Sequence, residues 1–511
     1  MFRRILIANR GEIALRVLRT AREMGIEVVA VFSDFDRAAL HARLADIAVP
    51  LGGSTPRESY LSIEKILAAA KKSGAEAIHP GYGFLSENED FAQAVSDAGL
   101  AWIGPPPKAI LAMGDKIESR KLMQAAGVPV VPGIVEALAD PAQAVREAAK
   151  VGYPIALKAS AGGGGKGIRV VREPSQMEAA FRAASSEAEK SFGDGRMYLE
   201  RYLDKPRHVE IQVLFDAHGH GVHLGERECS VQRRHQKLIE ESPSPVIDAA
   251  LRAQMGAVAL AAGKAVGYVN AGTVEFLYTD AGGKPEFFFL EMNTRLQVEH
   301  PVTEMVTGLD LVKEQLRIAA GEKLGYTQSD VQFRGHALEV RLNAEDPASG
   351  FLPSTGTVTN LRFPSGPWVR IDSGLYQGME VGLNYDPMLA KLIVWAPTRL
   401  EAIERMRRAL TELNVGGVKT SAPAAMAVLE DARFRAGNFD THLLETIDFK
   451  GRIGAEVRAA AVAAAVHRWH EARRRALAGR AGDRGGWLAR RAESLAGWPE
   501  RAPARGEGGT R

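Results

Sequence analysis

Short apolar runs alternate with amphipathic stretches through the first hundred residues of the chain. The apolar runs cover residues 5–8, 28–32, 75–78 and 101–103, and the helical patterns cover residues 12–24, 60–71 and 87–98. Such alternation is typical of a parallel sheet with helices on its faces. We therefore predict an α/β domain at residues 1–114.

Two glycine-containing loops of this domain follow predicted strands, at residues 9–11 and 79–83. Sheets of this kind bind ligands at the carboxyl ends of their strands. Neither loop has the G-x-G-x-x-G spacing of a dinucleotide site, and tight turns explain the glycines equally well.

The pattern changes near residue 127. Residues 151–159 and 168–172 are apolar strands on either side of a glycine loop, and a helical stretch continues to about residue 190. We predict a linker helix at residues 115–130 and a small mobile lid at residues 131–203. From residue 204 to 447 the strands are longer and hairpin-like, which indicates an α+β region with a mixed or antiparallel sheet.

The tail at residues 448–511 is rich in alanine and arginine. One helix is predicted at residues 456–478, with Val462, Val466 and Trp469 on one face, followed by flexible chain. It is either a frayed terminus or a helix that docks partner subunits. From residue 450 onward there are 14 basic and 6 acidic residues, whereas the whole chain carries a net charge of +3. The excess positive charge therefore belongs to the tail, and the main body is not predicted to bind nucleic acid.

The composition, 46% hydrophobic and 25% charged, is that of an ordinary globular protein. No run approaches the ~18 apolar residues of a membrane span. A strand at residues 2–8 leaves no room for a signal peptide. Cys229 is the only cysteine, which excludes a disulfide framework and a thiolate metal cluster. We expect a cytoplasmic location without membrane association.

The segment at residues 291–299 is the most informative for chemistry. Extended chain sends alternate side chains to opposite faces. One predicted face carries Glu291, Asn293, Arg295, Gln297 and Glu299. A solvated face is the ordinary alternative. This face, however, combines the donors and acceptors that hold an anion beside a metal.

A hairpin is predicted around residues 280–285, whose Asp-Ala-Gly-Gly-Lys-Pro sequence favours a turn. Folding about Gly283 places Glu275 beside Glu291. Two carboxylates roughly 5 Å apart repel each other unless a cation lies between them. Oxygen ligands from Glu275, Glu291 and Asn293 suit Mg²⁺ or Mn²⁺.

The glycine loop at residues 162–167 lies between Lys158 and a strand, and it contains Lys166. Glycines let backbone N–H groups approach phosphate oxygens. The loop is not a Walker A motif, because Gly167 follows the lysine and a strand follows the loop. A phosphate-covering flap is the preferred interpretation, and a simple mobile hairpin is the alternative.

Basic side chains also occur at Arg233, His235 and Lys237, which share a face in extended chain, and at Arg341 in a later strand. Each is a weak signal by itself, since most such residues are solvated or form surface ion pairs.

Taken together, these strings resemble the biotin carboxylase family of the ATP-grasp superfamily. The matching segments are residues 7–14, 79–88, the glycine loop, and residues 232–237, 291–295 and 297–301. The resemblance extends from Met1 to about Leu444. It implies a three-domain ATP-grasp architecture: a Rossmann-like N-terminal domain, a glycine-rich lid and a large C-terminal domain.

The resemblance implies roles for the matching residues. Those that would bind ATP are Lys116, Lys158, Gly164, Gly165, Lys166, Glu200, Arg201, Tyr202, Leu203, His208, Gln232 and His235. Glu275, Glu291 and Asn293 would hold two Mg²⁺ or Mn²⁺ ions. Those that would contact bicarbonate are Lys237, Arg295, Gln297 and Val298. Glu299 would be the general base, and Arg341 would stabilise the biotin enolate.

The implied reaction is the carboxylation of biotin by bicarbonate through carboxyphosphate, the first half-reaction of a biotin-dependent acyl-CoA carboxylase of fatty acid biosynthesis. The chain lacks the Ala-Met-Lys-Met string that carries biotin in larger family members. The expected partners are therefore a separate biotin carboxyl carrier protein and a carboxyltransferase subunit. Ser421 replaces a usual Asn, with no expected effect on chemistry.

The resemblance also implies a homodimer, with Arg16, Arg19 and Glu23 as interface candidates. Two other functions remain as alternatives. One is a different ATP-grasp ligase, which would not need both Glu299 and Arg341. The other is a degenerate subunit serving only as a scaffold, which the intact acidic pair and glycine loop argue against.

Overall fold

The computed structural model describes residues 1–134, 136–160, 167–280 and 283–481. The chain divides into a large unit, Met1–Ile447, and a small unit, Asp448–Arg511. In the described residues no helix is both long enough and apolar enough to cross a membrane.

The predicted N-terminal parallel sheet is confirmed. Its elements are β1 (Arg4–Ile7), α1 (Gly11–Glu23), β2 (Glu27–Phe32), α2 (Leu40–Leu44), β3 (Ile47–Pro50), α3 (Ile63–Ser73), β4 (Ala77–His79), α4 (Glu89–Asp97) and β5 (Ala101–Trp102). All pairs are parallel, in the order β3-β2-β1-β4-β5. The strand order reverses at β1 and β4, so the loops after these two strands meet at the ligand-binding edge.

These two loops are locked together by Asn9. Its side-chain amide donates to the carbonyls of Pro80 (2.7 Å) and Tyr82 (2.8 Å). Gly81 has φ +66°, and a Cβ there would lie 2.8 Å from Nδ2 of Asn9. Only glycine fits this close approach.

A short three-stranded sheet forms the lid. After α5 (Pro107–Gly114) and α6 (Lys116–Ala125), the chain forms α7 (Pro141–Val151), β6 (Ile155–Ala159), β7 (Ile168–Val171), α8 (Met177–Phe192) and β8 (Met197–Arg201). The strands are antiparallel, in the order β7-β6-β8. Alanine-rich faces of α7 and α8 pack on this sheet in a separate core.

The large sheet is antiparallel throughout the described residues. Its elements, with the helices between them, are β9 (Arg207–Phe215), β10 (Gly221–Arg233), β11 (Gln236–Ser242), α9 (Ala249–Ala265), β12 (Asn270–Thr279), β13 (Glu286–Asn293), α10 (His300–Thr307), α11 (Leu311–Ala319) and β14 (His336–Asn343). Two later strands, β19 (Val369–Ser373) and β21 (Met388–Ala396), complete it in the order β13-β12-β9-β10-β11-β14-β21-β19. The predicted α/β plus α+β class is thus confirmed.

Smaller elements complete the large unit. They are β15 (Glu345–Asp346), β16 (Leu352–Pro353), β17 (Gly356–Thr357), β18 (Asn360–Arg362), β19 (Val369–Ser373), β20 (Glu380–Val381), β21 (Met388–Ala396), α12 (Arg399–Glu412), β22 (Asn414–Gly416), α13 (Ala422–Glu430) and α14 (Ala432–Arg435).

The small unit contains one long helix, α15 (Phe449–Ala481), which is longer at both ends than predicted. Val462, Val466 and Trp469 are exposed on it.

Candidate active site

A cavity of about 480 Å³ lies where the lid sheet faces the large sheet. Every predicted site residue that the structure describes lines it: Lys116, Lys158, Glu200, Arg201, Tyr202, Leu203, His208, Gln232, His235, Lys237, Glu275, Glu291, Asn293, Arg295, Gln297, Val298, Glu299 and Arg341. Gly164, Gly165 and Lys166 lie outside the described residues. Side chains between residues 116 and 341, far apart in sequence, therefore meet in one place.

The lid contributes a buried ion-pair cluster to the cavity. Glu200 on β8 is buried, and it accepts hydrogen bonds from Lys158 on β6 and from Nη1 of Arg120 (2.7 Å). One carboxylate thus serves two cations, of which Lys158 lines the cavity and Arg120, on α6, does not.

The predicted hairpin places its two carboxylates as expected. Glu275 on β12 is the register partner of Glu291 on β13. Glu275 accepts from Nδ2 of Asn293 (2.9 Å) and Nε2 of Gln297 (2.8 Å). Glu291 has a single ion pair in the described structure, with Lys116 at 3.8 Å. Burial and the adjacent Glu275 raise the pKa of Glu291, so this carboxylate has electrostatic capacity for a cation.

A β-bulge at the same point brings in an apolar residue that the sequence analysis missed. Glu275 pairs with Glu291, but the next pair is Phe276 with Phe289, which leaves Leu290 as the extra residue. Leu290 and Glu291 both line the cavity although alternation would separate them. Bulges redirect side chains in this way. Leu277 could have been predicted, because it follows Glu275 by two residues on β12.

The prediction of one continuous strand from Glu291 to Glu299 is wrong. Strand β13 ends at Asn293, and residues 294–299 form an irregular loop, which we call the catalytic loop, before α10 begins at His300. The polar side chains converge because they share buried partners: Arg295 donates from Nη2 to Asn293 (2.9 Å), and Gln297 donates to Glu275. Buried polar groups require such partners, so shared contacts replace the alternation that was predicted.

The N-terminal domain contacts this loop through a glutamate side chain that accepts hydrogen bonds from it. Glu87 accepts from the backbone N–H of Thr294 (3.0 Å) and from Nε of Arg295 (2.8 Å). The segment at residues 79–88 thus contributes to the site through Glu87.

Glu299 lies between two cations. Nζ of Lys237 is 2.5 Å from one of its oxygens, and Nη2 of Arg341 is 2.9 Å from the other. Burial opposes ionisation, but Lys237 and Arg341 lower the pKa of Glu299 well below its usual value. Glu299 is therefore a carboxylate over the whole physiological range.

Arg341 is clamped from its other side by Glu240, whose Oε1 is 2.5 Å from Nε of the arginine. Burial raises the pKa of Glu240 to about 7, an effect that Arg341 opposes. Glu240 was missed in the sequence, where it belongs to an unremarkable Glu-Glu pair that appeared only to balance basic neighbours.

A second cavity, of about 300 Å³, adjoins the first. It shares Lys237, Arg295, Val298 and Arg341 with the larger cavity. Its remaining lining comes from the loop after β1 and the start of α1, the loop after β4, one residue each of β11 and β14, and the chain that enters β21: Asn9, Arg10, Gly11, Glu12, Ile13, Tyr82, Gly83, Phe84, Gln236, Asn343, Asp386, Pro387 and Met388. Arg341 therefore reaches two compartments at once.

Arg16 does not fit the expectation of an interface residue. It is buried within the chain, and its Nη2 donates to Glu304 (2.6 Å) and Asp310 (2.8 Å). Arg19 and Glu23, on the same helix, are exposed. Helix periodicity explains the difference, since Arg16 lies on the inward face of α1.

Ser421, the residue before α13, contacts the backbone of β14 near the cavity. Its hydroxyl donates to the carbonyl of Arg341 (2.7 Å) and accepts from the N–H of Asn343 (2.9 Å).

Models of known families match most of the large unit. "Biotin carboxylase, N-terminal domain" matches residues 1–110, "Carbamoyl-phosphate synthase L chain, ATP binding domain" matches residues 115–327, and "Biotin carboxylase C-terminal domain" matches residues 339–446.

Individual relatives agree with these matches. The chain is 52% identical to a pyruvate carboxylase subunit of Methanothermobacter thermautotrophicus, over 90% of this chain and 92% of that one. It is 49% identical to biotin carboxylase 1 of Bacillus subtilis, over 88% and 100% of the two chains. Among solved structures it is similar to the biotin carboxylase domain dimer of Hydrogenobacter thermophilus 2-oxoglutarate carboxylase, in complex with MgADP, ADP and bicarbonate. That comparison gives a TM-score of 0.84 and 48% identity, covering 87% of this chain and 97% of that one.

Proposed function

Since this chain belongs to the biotin carboxylase family and catalyses the ATP-dependent carboxylation of biotin with bicarbonate, we propose that it acts on biotin borne by a separate carrier protein, through carboxyphosphate. The single observation that carries the residue assignments is the position of Arg341. It contacts Glu299 in the larger cavity and lines the smaller one. The same arginine therefore lies beside the proposed general base and beside the proposed biotin site.

ATP binds in the larger cavity in this proposal. Lys116 and Lys158 face the phosphates. The segment of residues 200–203 at the end of β8, with His208, Gln232 and His235, surrounds the nucleoside. Leu277 and Leu290 supply apolar contact for the base. Gly164, Gly165 and Lys166 cover the phosphates, an assignment that rests on the family resemblance.

Glu275, Glu291 and Asn293 are the residues that would hold Mg²⁺ or Mn²⁺, at two sites. The donor set fits these hard cations, because all three residues offer oxygen. The repulsion between paired carboxylates, which raises the pKa of Glu291, would be relieved by a cation. When bound, the metals would neutralise phosphate charge, as phosphoryl transfer requires.

Bicarbonate binds among Lys237, Arg295, Gln297 and the backbone of Val298. The anion competes with Glu299 for Lys237, one of the two cations that hold that carboxylate, and this competition raises the basicity of Glu299. Glu299 then accepts the bicarbonate proton, the bicarbonate oxygen attacks the γ-phosphorus of ATP, and ADP leaves. The product is carboxyphosphate.

Biotin enters the smaller cavity, where Arg341 meets the loops that carry Tyr82 and Phe84. Carboxyphosphate breaks into CO₂ and phosphate. The phosphate takes the proton from N1 of the ureido ring, and N1 attacks CO₂. Arg341 stabilises the enolate charge on the ureido oxygen during this transfer. Closure of the lid protects carboxyphosphate from water.

The proposed partners are a biotin carboxyl carrier protein and the carboxyltransferase subunit of an acyl-CoA carboxylase of fatty acid biosynthesis. The proposed homodimer is supported by the dimer named for the Hydrogenobacter thermophilus domain, with Arg19 and Glu23 as the remaining interface candidates. The single cysteine, Cys229, is buried and free, which supports the proposed cytoplasmic location.

The test is ATP hydrolysis measured with and without bicarbonate and free biotin, together with transfer of labelled bicarbonate to biotin. We expect hydrolysis to require bicarbonate and to rise with biotin. Glu299→Gln keeps the size of the side chain but not its basicity, and kcat should fall by about 100-fold or more at an unchanged KM for ATP. ATP hydrolysis at the same rate with and without bicarbonate would favour another ATP-grasp ligase. Wild-type activity of the Arg295→Ala variant would exclude the assigned bicarbonate site.

A further inference from the structure

Lys391 on β21 is a fully buried lysine that lines neither cavity. Lysine is almost never fully buried unless it is paired, because its ammonium group loses hydration. Its Nζ has three polar neighbours: the carbonyl oxygen of Val298 at 2.9 Å, Oε1 of Glu12 at 3.2 Å and Oδ2 of Asp372 at 3.9 Å.

The bond to Val298 places this lysine directly behind the catalytic loop. Val298 lies between Gln297 and Glu299, whose side chains both face the larger cavity. The loop has no strand partner among the described residues, and the neighbouring Gln297 carbonyl accepts from the backbone N–H of His300 (3.4 Å). Lys391 fixes the carbonyl of the peptide that joins Val298 to Glu299, and it therefore fixes the direction in which the Glu299 side chain leaves the backbone.

The two carboxylates around Lys391 differ in how they are held. Asp372 is fastened by Arg370, whose Nε and Nη2 lie 3.0 and 2.7 Å from its two oxygens. Glu12 belongs to the first turn of α1 and is buried. Among the described residues neither of its oxygens accepts a conventional hydrogen bond, which leaves Lys391 as its nearest cation.

Glu12 extends the connection to the smaller cavity, which it lines together with Arg10 and Gly11. One ammonium group thus joins the first turn of α1, on the proposed biotin side, to the peptide that precedes Glu299. The two compartments are therefore connected through a buried lysine that lines neither of them.

We infer that Lys391 is a positioning residue, which holds the Val298–Glu299 peptide in the orientation needed for proton transfer from bicarbonate and ties it to Glu12. This inference rests on the proposed function. A misplacement of a reacting group by about 1 Å costs about 100-fold in rate, so loss of this anchor should lower turnover without weakening nucleotide binding.

The principal variant is Lys391→Met with Glu12→Gln, which removes one positive and one negative charge and leaves Asp372 paired with Arg370. We expect kcat for bicarbonate-dependent ATP hydrolysis to fall about 10- to 100-fold. The KM for ATP should stay within about twofold, and Tm should fall by only a few degrees. A milder variant, Lys391→Gln, retains an amide donor for the Val298 carbonyl and should lose about three- to tenfold.

The matched control is Arg252→Met with Glu226→Gln. Glu226 is buried on β10 and Arg252 is half-buried on α9, with Nε of the arginine 2.6 Å from the carboxylate, and neither residue lines either of the two cavities. It should lower Tm to a similar degree and leave kcat and the KM for bicarbonate within about twofold.

Several outcomes would overturn the inference. A folded Lys391→Met/Glu12→Gln protein with wild-type kcat and bicarbonate KM would do so, as would a control pair that loses as much turnover. If the double variant does not fold, the Lys391→Gln variant is the test. Wild-type kcat of this variant would reject a positioning role, and a reduced kcat at a constant KM for ATP would support it. A wild-type enzyme without bicarbonate-dependent hydrolysis would instead contradict the proposed function.

Discussion

At the scale of single residues, the site is a network of buried charges in which several groups have more than one partner. Lys237 lies within 3.3 Å of carboxylate oxygens of Glu210, Glu275 and Glu299. Removing one member of such a buried network leaves an uncompensated charge, at a cost of about 3–5 kcal/mol. Substitutions that conserve shape and remove only charge or basicity are therefore the informative ones here.

Glu240 gives a pH-dependent prediction for stability. Burial raises its pKa from 4.5 to about 7, so the folded protein binds a proton that the unfolded chain releases. Proton binding by Glu240 therefore stabilises the folded state. This stabilisation is complete below pH 4.5 and is lost as the pH rises through about 7. Relative to Glu240→Gln, the unfolding free energy of the wild type should fall by about 2–3 kcal/mol between about pH 5 and about pH 8.

Denaturant unfolding of both proteins across this pH range checks the prediction. The difference between their unfolding free energies isolates Glu240, because the contributions of histidines and other titratable groups are common to both proteins and cancel. Glu64→Gln, in the first turn of α3, is the control and should show no such trend against the wild type. A constant difference between wild type and Glu240→Gln would mean that Glu240 is ionised throughout.

At the scale of elements, the features that depend on neighbouring residues, such as turns, could be predicted from the sequence. The features that depend on packing between distant elements could not. The hairpin that pairs Glu275 with Glu291 follows from the turn residues between its strands. The end of β13 at Asn293 could not be inferred from alternation, because residues 294–298 still alternate in polarity while their backbone follows buried partners. Glu240, Glu12 and Lys391 gave no signal, since burial of a charged residue depends on elements distant in sequence.

Ser421 connects α13 to β14 through a hydrogen bond whose loss should lower the free energy of unfolding. The register of β14 against β21 shifts between Leu342 and Asn343, and the Ser421 hydroxyl satisfies the N–H of Asn343 where the ladder is interrupted. Ser421→Ala would leave that buried donor unpaired, and we expect a loss of about 1–3 kcal/mol in unfolding free energy. Turnover should change little, because the side chain lines neither of the two cavities.

Chemical unfolding and steady-state kinetics of Ser421→Ala and Ser421→Asn check this. The asparagine variant retains a polar side chain at the position and should be the more stable of the two. A loss of turnover that exceeds the loss of folded protein would show that Ser421 also orients Arg341 through its carbonyl, contrary to the expectation that this position does not affect chemistry.

At the scale of the whole molecule, three regions contribute to one site. The N-terminal domain supplies Glu87 and the loops of the smaller cavity, the lid supplies Lys158 and Glu200, and the large sheet supplies the acidic pair and the cations. Glu200 and Glu275 are each held by buried hydrogen-bond partners, and such contacts keep reacting groups in the geometry that the reaction needs.

All residues that line the two cavities fall within the large unit, Met1–Ile447, and so do its hydrophobic core clusters. A chain that ends at Ile447 should therefore fold and retain bicarbonate-dependent ATP hydrolysis with kcat and KM within about twofold of the full chain. Thermal unfolding and kinetics of the two proteins measure this directly, and a loss of more than about tenfold would show that the tail supports the site. Assembly with carrier and carboxyltransferase subunits is measured in parallel by sedimentation. Retained activity with lost assembly would assign residues 448–511 to partner docking, whereas unchanged assembly would contradict that hypothesis for the tail helix.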